Sequence, residues 1–145
     1  MNIAVGSDHR GLDFKKYVLS LLTEMGHTYQ DFGSFTADSV DYPDIALDVS
    51  KAVANSKFDR GILICGTGIG MSIAANKVPG IRAALCCDVF AAERARLHNN
   101  ANIICLGAER GENGVWEILR TFLTTGFEGG RHQGRLNKIS RMEGS

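Results

Sequence analysis

The sequence predicts one α/β domain of three layers, a five-stranded parallel sheet between helices, and three observations predict it. Five short apolar runs alternate with five segments of helical periodicity along the chain. The runs are apolar at consecutive rather than alternate positions, the pattern of strands covered on both faces. Parallel neighbours need crossovers, and right-handed crossovers place the helices on the two sides of the sheet. The expected layout is Rossmann-like, with a C-terminal helical arm after the last strand-helix unit.

The first strand is read at Asn2 to Gly6. In the first helix Phe14, Val18, Leu21, Leu22 and Met25 recur at helical spacing, Lys15, Lys16, Ser20 and Glu24 take the other face, and Gly26 is the stop. Thr28 to Phe32 is the second buried strand. Ile45, Val49, Ala52 and Val53 stripe the second helix, whose first turn holds Pro43 and Asp44, residues suited to a helix N-terminus. Gly61 to Cys65 is the third strand, and its helix opens in the glycine run behind Cys65. Arg82 to Cys86 and Asn102 to Gly107 complete the sheet, followed by helices over Val89 to Leu97 and along Val115, Ile118, Leu119, Phe122 and Leu123. Glu128-Gly129-Gly130 then breaks the pattern, and Arg131 to Met142 reads as a polar last helix, an arm suited to docking on something else.

A chain of 145 residues suits a single domain over 1–145. At that size about 68–70% of the unfolded surface is buried on folding. Sixteen basic residues balance sixteen acidic ones, which argues against nucleic acid as a partner and makes any anion site local. No apolar run approaches the roughly 20 residues that span a membrane. Met1 leads straight into a strand without the pattern of an export leader, so a cytoplasmic protein is expected. The four cysteines contain no Cys-x-x-Cys pair and read as reduced thiols.

Sheets of this kind bind ligands beyond the carboxyl ends of their strands. The loops to inspect are therefore Ser7-Asp8-His9, Gly33 to Tyr42, Gly66 to Gly70 and the segment after Gly107. In Cys65-Gly66-Thr67-Gly68-Ile69-Gly70 a buried strand ends in a thiol, and alternate glycines open a helix whose amides can face an anion. The loop is no dinucleotide fingerprint, because Met71 and Ile73 stand where a third glycine is needed, and no P-loop, because Met71-Ser72 replaces Lys-Ser/Thr. What remains is a cysteine at a helix N-terminus, where amides favour the thiolate and make it a base or nucleophile. Free cysteine is usually packing, but the glycine cradle points Cys65 to chemistry, whereas Cys86, Cys87 and Cys105 read as small core residues without a role.

Asp8 and His9 leave the first strand at the same sheet edge; Asp8 suits a helix cap as well as a ligand contact, and His9 can donate to a phosphate. His98-Asn99-Asn100 closes the fourth helix, where Asn100 suits the C-cap and His98 is free to cap or to move a proton. Arg131 and Arg135, four apart on one helix face, either match a phosphate dianion or form a solvated basic face.

The segments Gly6-Ser7-Asp8-His9, Asp41-Tyr42-Pro43, Gly61 to Gly68, Ser72 to Lys77, His98-Asn99 and Gly129-Gly130-Arg131-His132 together strongly resemble the type B ribose-5-phosphate isomerase family. The match runs in order over nearly the whole chain. The resemblance implies an aldose-ketose isomerase that takes a small-molecule sugar phosphate without metal or cofactor. It also implies a homodimer or tetramer whose sites use groups from two subunits, with 129–145 as the inter-subunit arm. It suggests Cys65 as the base, His98 as the ring-opening group and Thr67 as an aid to hydroxyl proton movement. Asp8, Tyr42 and Asn99 would touch the sugar, His9, Arg131 and Arg135 the phosphate, and the amides of Gly66, Gly68, Ile69 and Gly70 the enediolate. Some family members replace the cysteine by a glutamate just after the last loop glycine; here that place is Met71. The arginine usual two places after the glycine of strand five is replaced by Glu109, with Arg110 one step later. The rival readings are a galactose-6-phosphate isomerase subunit and a non-catalytic sugar-phosphate sensor.

Overall fold

The computed structural model describes residues 1–144. The strands are β1 (Asn2–Ser7), β2 (Thr28–Asp31), β3 (Arg60–Cys65), β4 (Ala83–Leu85) and β5 (Ile103–Gly107). The helices are α1 (Leu12–Glu24), α2 (Tyr42–Ala54), α3 (Ile69–Ala75), α4 (Val89–Asn99), α5 (Val115–Thr124) and α6 (Arg131–Glu143), with single 3₁₀ turns at His9–Gly11 and Ala108–Arg110. All strand pairs are parallel and the order is β2-β1-β3-β5-β4. This is the Rossmann-like α/β sheet that the alternation of apolar runs implies.

Side-chain alternation along the central strands feeds two cores. Ile62 and Ile64 of β3 and Ile104 and Leu106 of β5 join Val18 and Leu22 of α1, Ala92 of α4 and Leu119 and Phe122 of α5. Leu63, Cys65, Ile103 and Cys105 point the other way, onto Ala46, Val49 and Val53 of α2 and Met71 and Ala75 of α3. Burying the Val, Leu, Ile, Met and Phe side chains among them contributes about 1.5–3 kcal/mol each, so these two apolar layers stabilise the sheet from both faces.

Four expectations need correction. Thr28, Tyr29 and Gln30 are exposed, because β2 is an edge strand that pairs, among the described residues, with β1 alone; β4, the other edge, is three half-buried residues rather than Arg82 to Cys86. Lys15 does not sit on an outer face. It is 1% exposed, and its Nζ donates to Asp31 Oδ1 at 2.7 Å and to the Ser34 carbonyl, tying α1 to the loop after β2. Asp31 also accepts from the Gly33 amide at 2.9 Å, so the buried ammonium is paired and hydrogen-bonded as its burial requires. Cys87 is exposed, not a core residue.

Helix α4 runs through His98 and Asn99, and Asn100 adopts the left-handed C-cap with φ 46°. The last helix buries His132 and Leu136, and Glu143 Oε2 accepts from the Gly80 amide at 3.0 Å, so the arm rests on its own chain. No described helix is long and apolar enough to cross a membrane.

Candidate active site

Strand order reverses between β1 and β3, and the crevice at such a reversal, beyond the carboxyl ends, is where sheets of this type bind ligands. The two chain segments leaving it are stitched together, since the Asp8 amide donates to the Ile64 carbonyl at 3.1 Å. A cleft of about 570 Å³ opens there and is lined by Asp8, His9, Tyr42, Cys65, Gly66, Thr67, Ile69 and Gly70.

Cys65 ends β3 with its side chain directed to the α2 and α3 layer, 5% exposed, and its Sγ accepts from the Gly68 amide at 3.2 Å. The contact sets a fixed backbone N–H donor against the sulfur. Gly68 delivers that amide from a left-handed conformation, φ +79°, which disfavours any side chain. At Gly70 a Cβ would fall 2.5 Å from the Tyr42 ring, so the loop lies directly under the tyrosine. Thr67 Oγ1 accepts from the Ile69 amide at 3.2 Å, which leaves its hydroxyl hydrogen for another acceptor.

Asp8 caps the 3₁₀ turn, its Oδ1 accepting from the Gly11 amide at 3.0 Å, while remaining in the cleft wall. His9 Nδ1 accepts from the Val40 amide at 3.2 Å, an arrangement in which the neutral ring carries its hydrogen on Nε2. Burial pushes Cys86 up to about 12 and Cys105 higher still, with nearby cysteines adding to both.

The structure does not bring His98, Asn99, Arg131 and Arg135 to this cleft. Helix α4 returns against the sheet, so its end lies at the amino edge, where Arg82 Nε donates to the Asn99 and Asn100 carbonyls. Ile103 to Gly107 alone separates that edge from Cys65 by about 13 Å at roughly 3.3 Å per residue. A second cluster forms there. The Glu128 amide donates to the Leu97 carbonyl at 3.0 Å, the His98 and His132 rings stack with centroids 4.3 Å apart, and Glu128 Oε2 stands 3.6 and 3.7 Å from their Nε2 atoms. Burial lowers the His132 pKa from its ordinary value, and the charges of His98 and Arg131 lower it further.

Sequence reasoning missed Arg10 and noted Glu109 solely as a departure from the family's arginine; the two meet across the cleft mouth at 3.9 Å. Glu109 Oε1 sits 2.9 Å from where a Cβ on Gly66 would be. The available signal was position alone: Arg10 follows His9, and Glu109 lies just past the carboxyl end of β5. Arg110 lines a different, smaller cavity with Cys86 and Asn113.

A family model described as Ribose/Galactose Isomerase matches residues 3–139. The solved structure of Clostridium thermocellum ribose-5-phosphate isomerase B superposes with a TM-score of 0.97 at 48% identity, over 99% of this chain and 98% of that one. Ribose-5-P isomerase B of Listeria innocua is 44% identical, covering 99% of this chain and 97% of its own. D-erythrulose-4-phosphate isomerase of Pectobacterium atrosepticum is 43% identical, over 99% and 95%.

Proposed function

The chain belongs to the ribose/galactose isomerase family as a sugar-phosphate isomerase of the type B ribose-5-phosphate isomerase kind, and from that premise we propose that it interconverts ribose 5-phosphate and ribulose 5-phosphate with Cys65 as the base. The observation that carries the reading is the Cys65 sulfur accepting an amide hydrogen inside the cleft at the strand-order reversal.

In the open-chain aldose the thiolate removes the proton on the second carbon. The C–H bond breaks, an S–H bond forms, and the electron pair moves onto the first oxygen as an enediolate. Amides of Gly66, Gly68, Ile69 and Gly70 suit that developing charge, because donors fixed in advance need no rearrangement as it forms. The thiol then returns the proton to the first carbon, while a hydroxyl proton moves between the two oxygens with help from Thr67. Asp8 and Tyr42 hold the sugar hydroxyls, and His9 Nε2 donates to the phosphate end.

His98 assists ring opening, Asn99 contacts the sugar, and Arg131 with Arg135 clamps the phosphate, all from a second copy of the chain. Two features support the second copy. These groups lie at the wrong sheet edge to act within one chain, and Ile69 and Ile73 present an exposed apolar pair on α3 beside the cleft. The 129–145 segment is then the arm that carries the arginines to the partner.

Subunit mixing tests the whole arrangement. Cys65→Ala and His98→Asn homodimers each lose at least the roughly 10²–10⁴-fold expected of a proton-transfer residue. Unfolding and refolding them together in equal amounts restores about a quarter of wild-type turnover on ribose 5-phosphate, because half the dimers are mixed and each holds one intact site. No recovery on mixing would sink the shared site, and near-normal turnover of Cys65→Ala alone would sink the base. D-erythrulose 4-phosphate, the substrate in the name of the Pectobacterium relative, is run beside ribose 5-phosphate, and the higher kcat/KM assigns the chain length.

A further inference from the structure

The cluster at the end of α4 holds an unexplained atom. His132 is 5% exposed, and its Nε2 is buried without a hydrogen-bond partner among the described residues. A buried polar atom left unpaired is uncommon and calls for a partner of another kind. The nearest oxygen, Glu128 Oε2, is 3.7 Å away, and the same oxygen is 3.6 Å from His98 Nε2. Both separations exceed hydrogen-bond length. They are close to the edge of a tetrahedron around zinc, about 3.4 Å for ligand arms of about 2.1 Å.

We infer that His98, Glu128 and His132 form a site for one zinc-class divalent ion. Their three ligand atoms lie within 4.8 Å of one another, and two imidazoles with one carboxylate make a donor set that suits zinc and leaves a fourth position for water. The backbone holds the set in register, since the Glu128 amide is fixed to the Leu97 carbonyl one residue before His98. Capture requires the stacked rings to splay so that both lone pairs meet at the ion, and half-exposed His98 has the room to turn. Arg131 adjoins the site and works against a cation, so the ion must be one that bonds strongly to imidazole rather than a hard cation such as magnesium or calcium.

The consequence rests on the ring-opening role proposed for His98: an ion on its Nε2 occupies the lone pair that would move the proton, so zinc acts as a reversible inhibitor. The test uses the metal alone. Cobalt titrated into the intact, substrate-free protein gives visible bands of tetrahedral coordination at one ion per chain. Binding weakens at least about tenfold in Glu128→Gln and in His98→Asn. Glu128 is exposed, so its substitution leaves folding intact and a loss there is not a loss of structure. No cobalt binding, or binding unchanged in both variants, overturns the site. Zinc inhibition that shifts to at least about tenfold higher zinc in Glu128→Gln, measured against that variant's own metal-free rate, supports it. Cobalt binding with these properties in a protein whose turnover zinc leaves untouched retains the site and overturns the role of His98.

Discussion

Gly107→Ala tests whether the position of the Cys65 loop, rather than its composition, sets the rate. Gly107 closes β5 opposite Cys65 with φ −99° and ψ 115°, a conformation alanine adopts freely, so the backbone itself offers no objection. The objection is contact. A Cβ there would sit 2.7 Å from the Thr67 carbonyl oxygen and 2.9 Å from its carbon, both backbone atoms, where ordinary contact begins near 3.4 Å. The Gly66-Thr67-Gly68 segment must retreat by about 0.7 Å, carrying the Gly68 amide away from the sulfur it now meets at 3.2 Å. Overpacking of this kind costs about 1–3 kcal/mol of stability. Misplacing a reacting group by about 1 Å costs on the order of 10²-fold in rate, so kcat should fall about 10- to 100-fold. The assay is kcat and KM on ribose 5-phosphate beside urea unfolding, with Gly126→Ala as the control, since a Cβ there meets nothing within 4 Å. A folded Gly107→Ala protein with wild-type kcat would refute the claim that the Gly68 amide must hold the sulfur.

Lys15→Met removes the buried ammonium and leaves the Asp31 carboxylate half-buried without it, and breaking such a pair costs about 3 kcal/mol, measured as a lower urea midpoint with turnover followed separately. Alkylation of the native protein at pH 8, mapped by mass spectrometry, should label exposed Cys87 and leave Cys86 and Cys105 unmarked until unfolding. The folded state disfavours their thiolates, and a thiol at about 12 is ionised in only about one molecule in 10⁴ at that pH. Rapid labelling of Cys86 in folded protein would contradict the desolvation argument.

The fold was legible because its signal is local. Consecutive apolar residues in Gly61 to Cys65 and Asn102 to Gly107 state that both faces are covered, and Pro43 with Asp44 marks the start of α2 without reference to any other element. What failed was whatever depends on the neighbour. Thr28 to Asp31 has strand character, but only the sheet order reveals that, among the described residues, no strand pairs along its outer side. Lys15 reads as polar on a helical wheel, and its burial follows from Asp31 and the Ser34 carbonyl, sixteen and nineteen residues away. The site divides in the same way. Cys65 and its glycines are contiguous and could be read, as could the Asp8 cap; the Arg10 and Glu109 pair joins loops that share only a sheet edge.

The division of charge gives a reason why one copy of this fold should need another. Among the described residues lining the Cys65 cleft, Arg10 is the one arginine or lysine, and it is met by Glu109, so the cleft offers little net attraction to a phosphate dianion. Arg131 and Arg135 are exposed at the far end, attached to an arm with two buried residues of its own. A loop long enough to carry such charges around the sheet within one chain would have to be ordered at an entropic cost. A twofold assembly with the shared site proposed above would instead present the amino edge of one copy to the carboxyl edge of the other, twice in one closed contact. On that reading phosphate binding energy, remote from the reacting carbons, is spent on orienting the open-chain sugar against the sulfur. Removing Arg135 should then lower kcat as well as affinity; an effect confined to KM would assign the arginine to the surface.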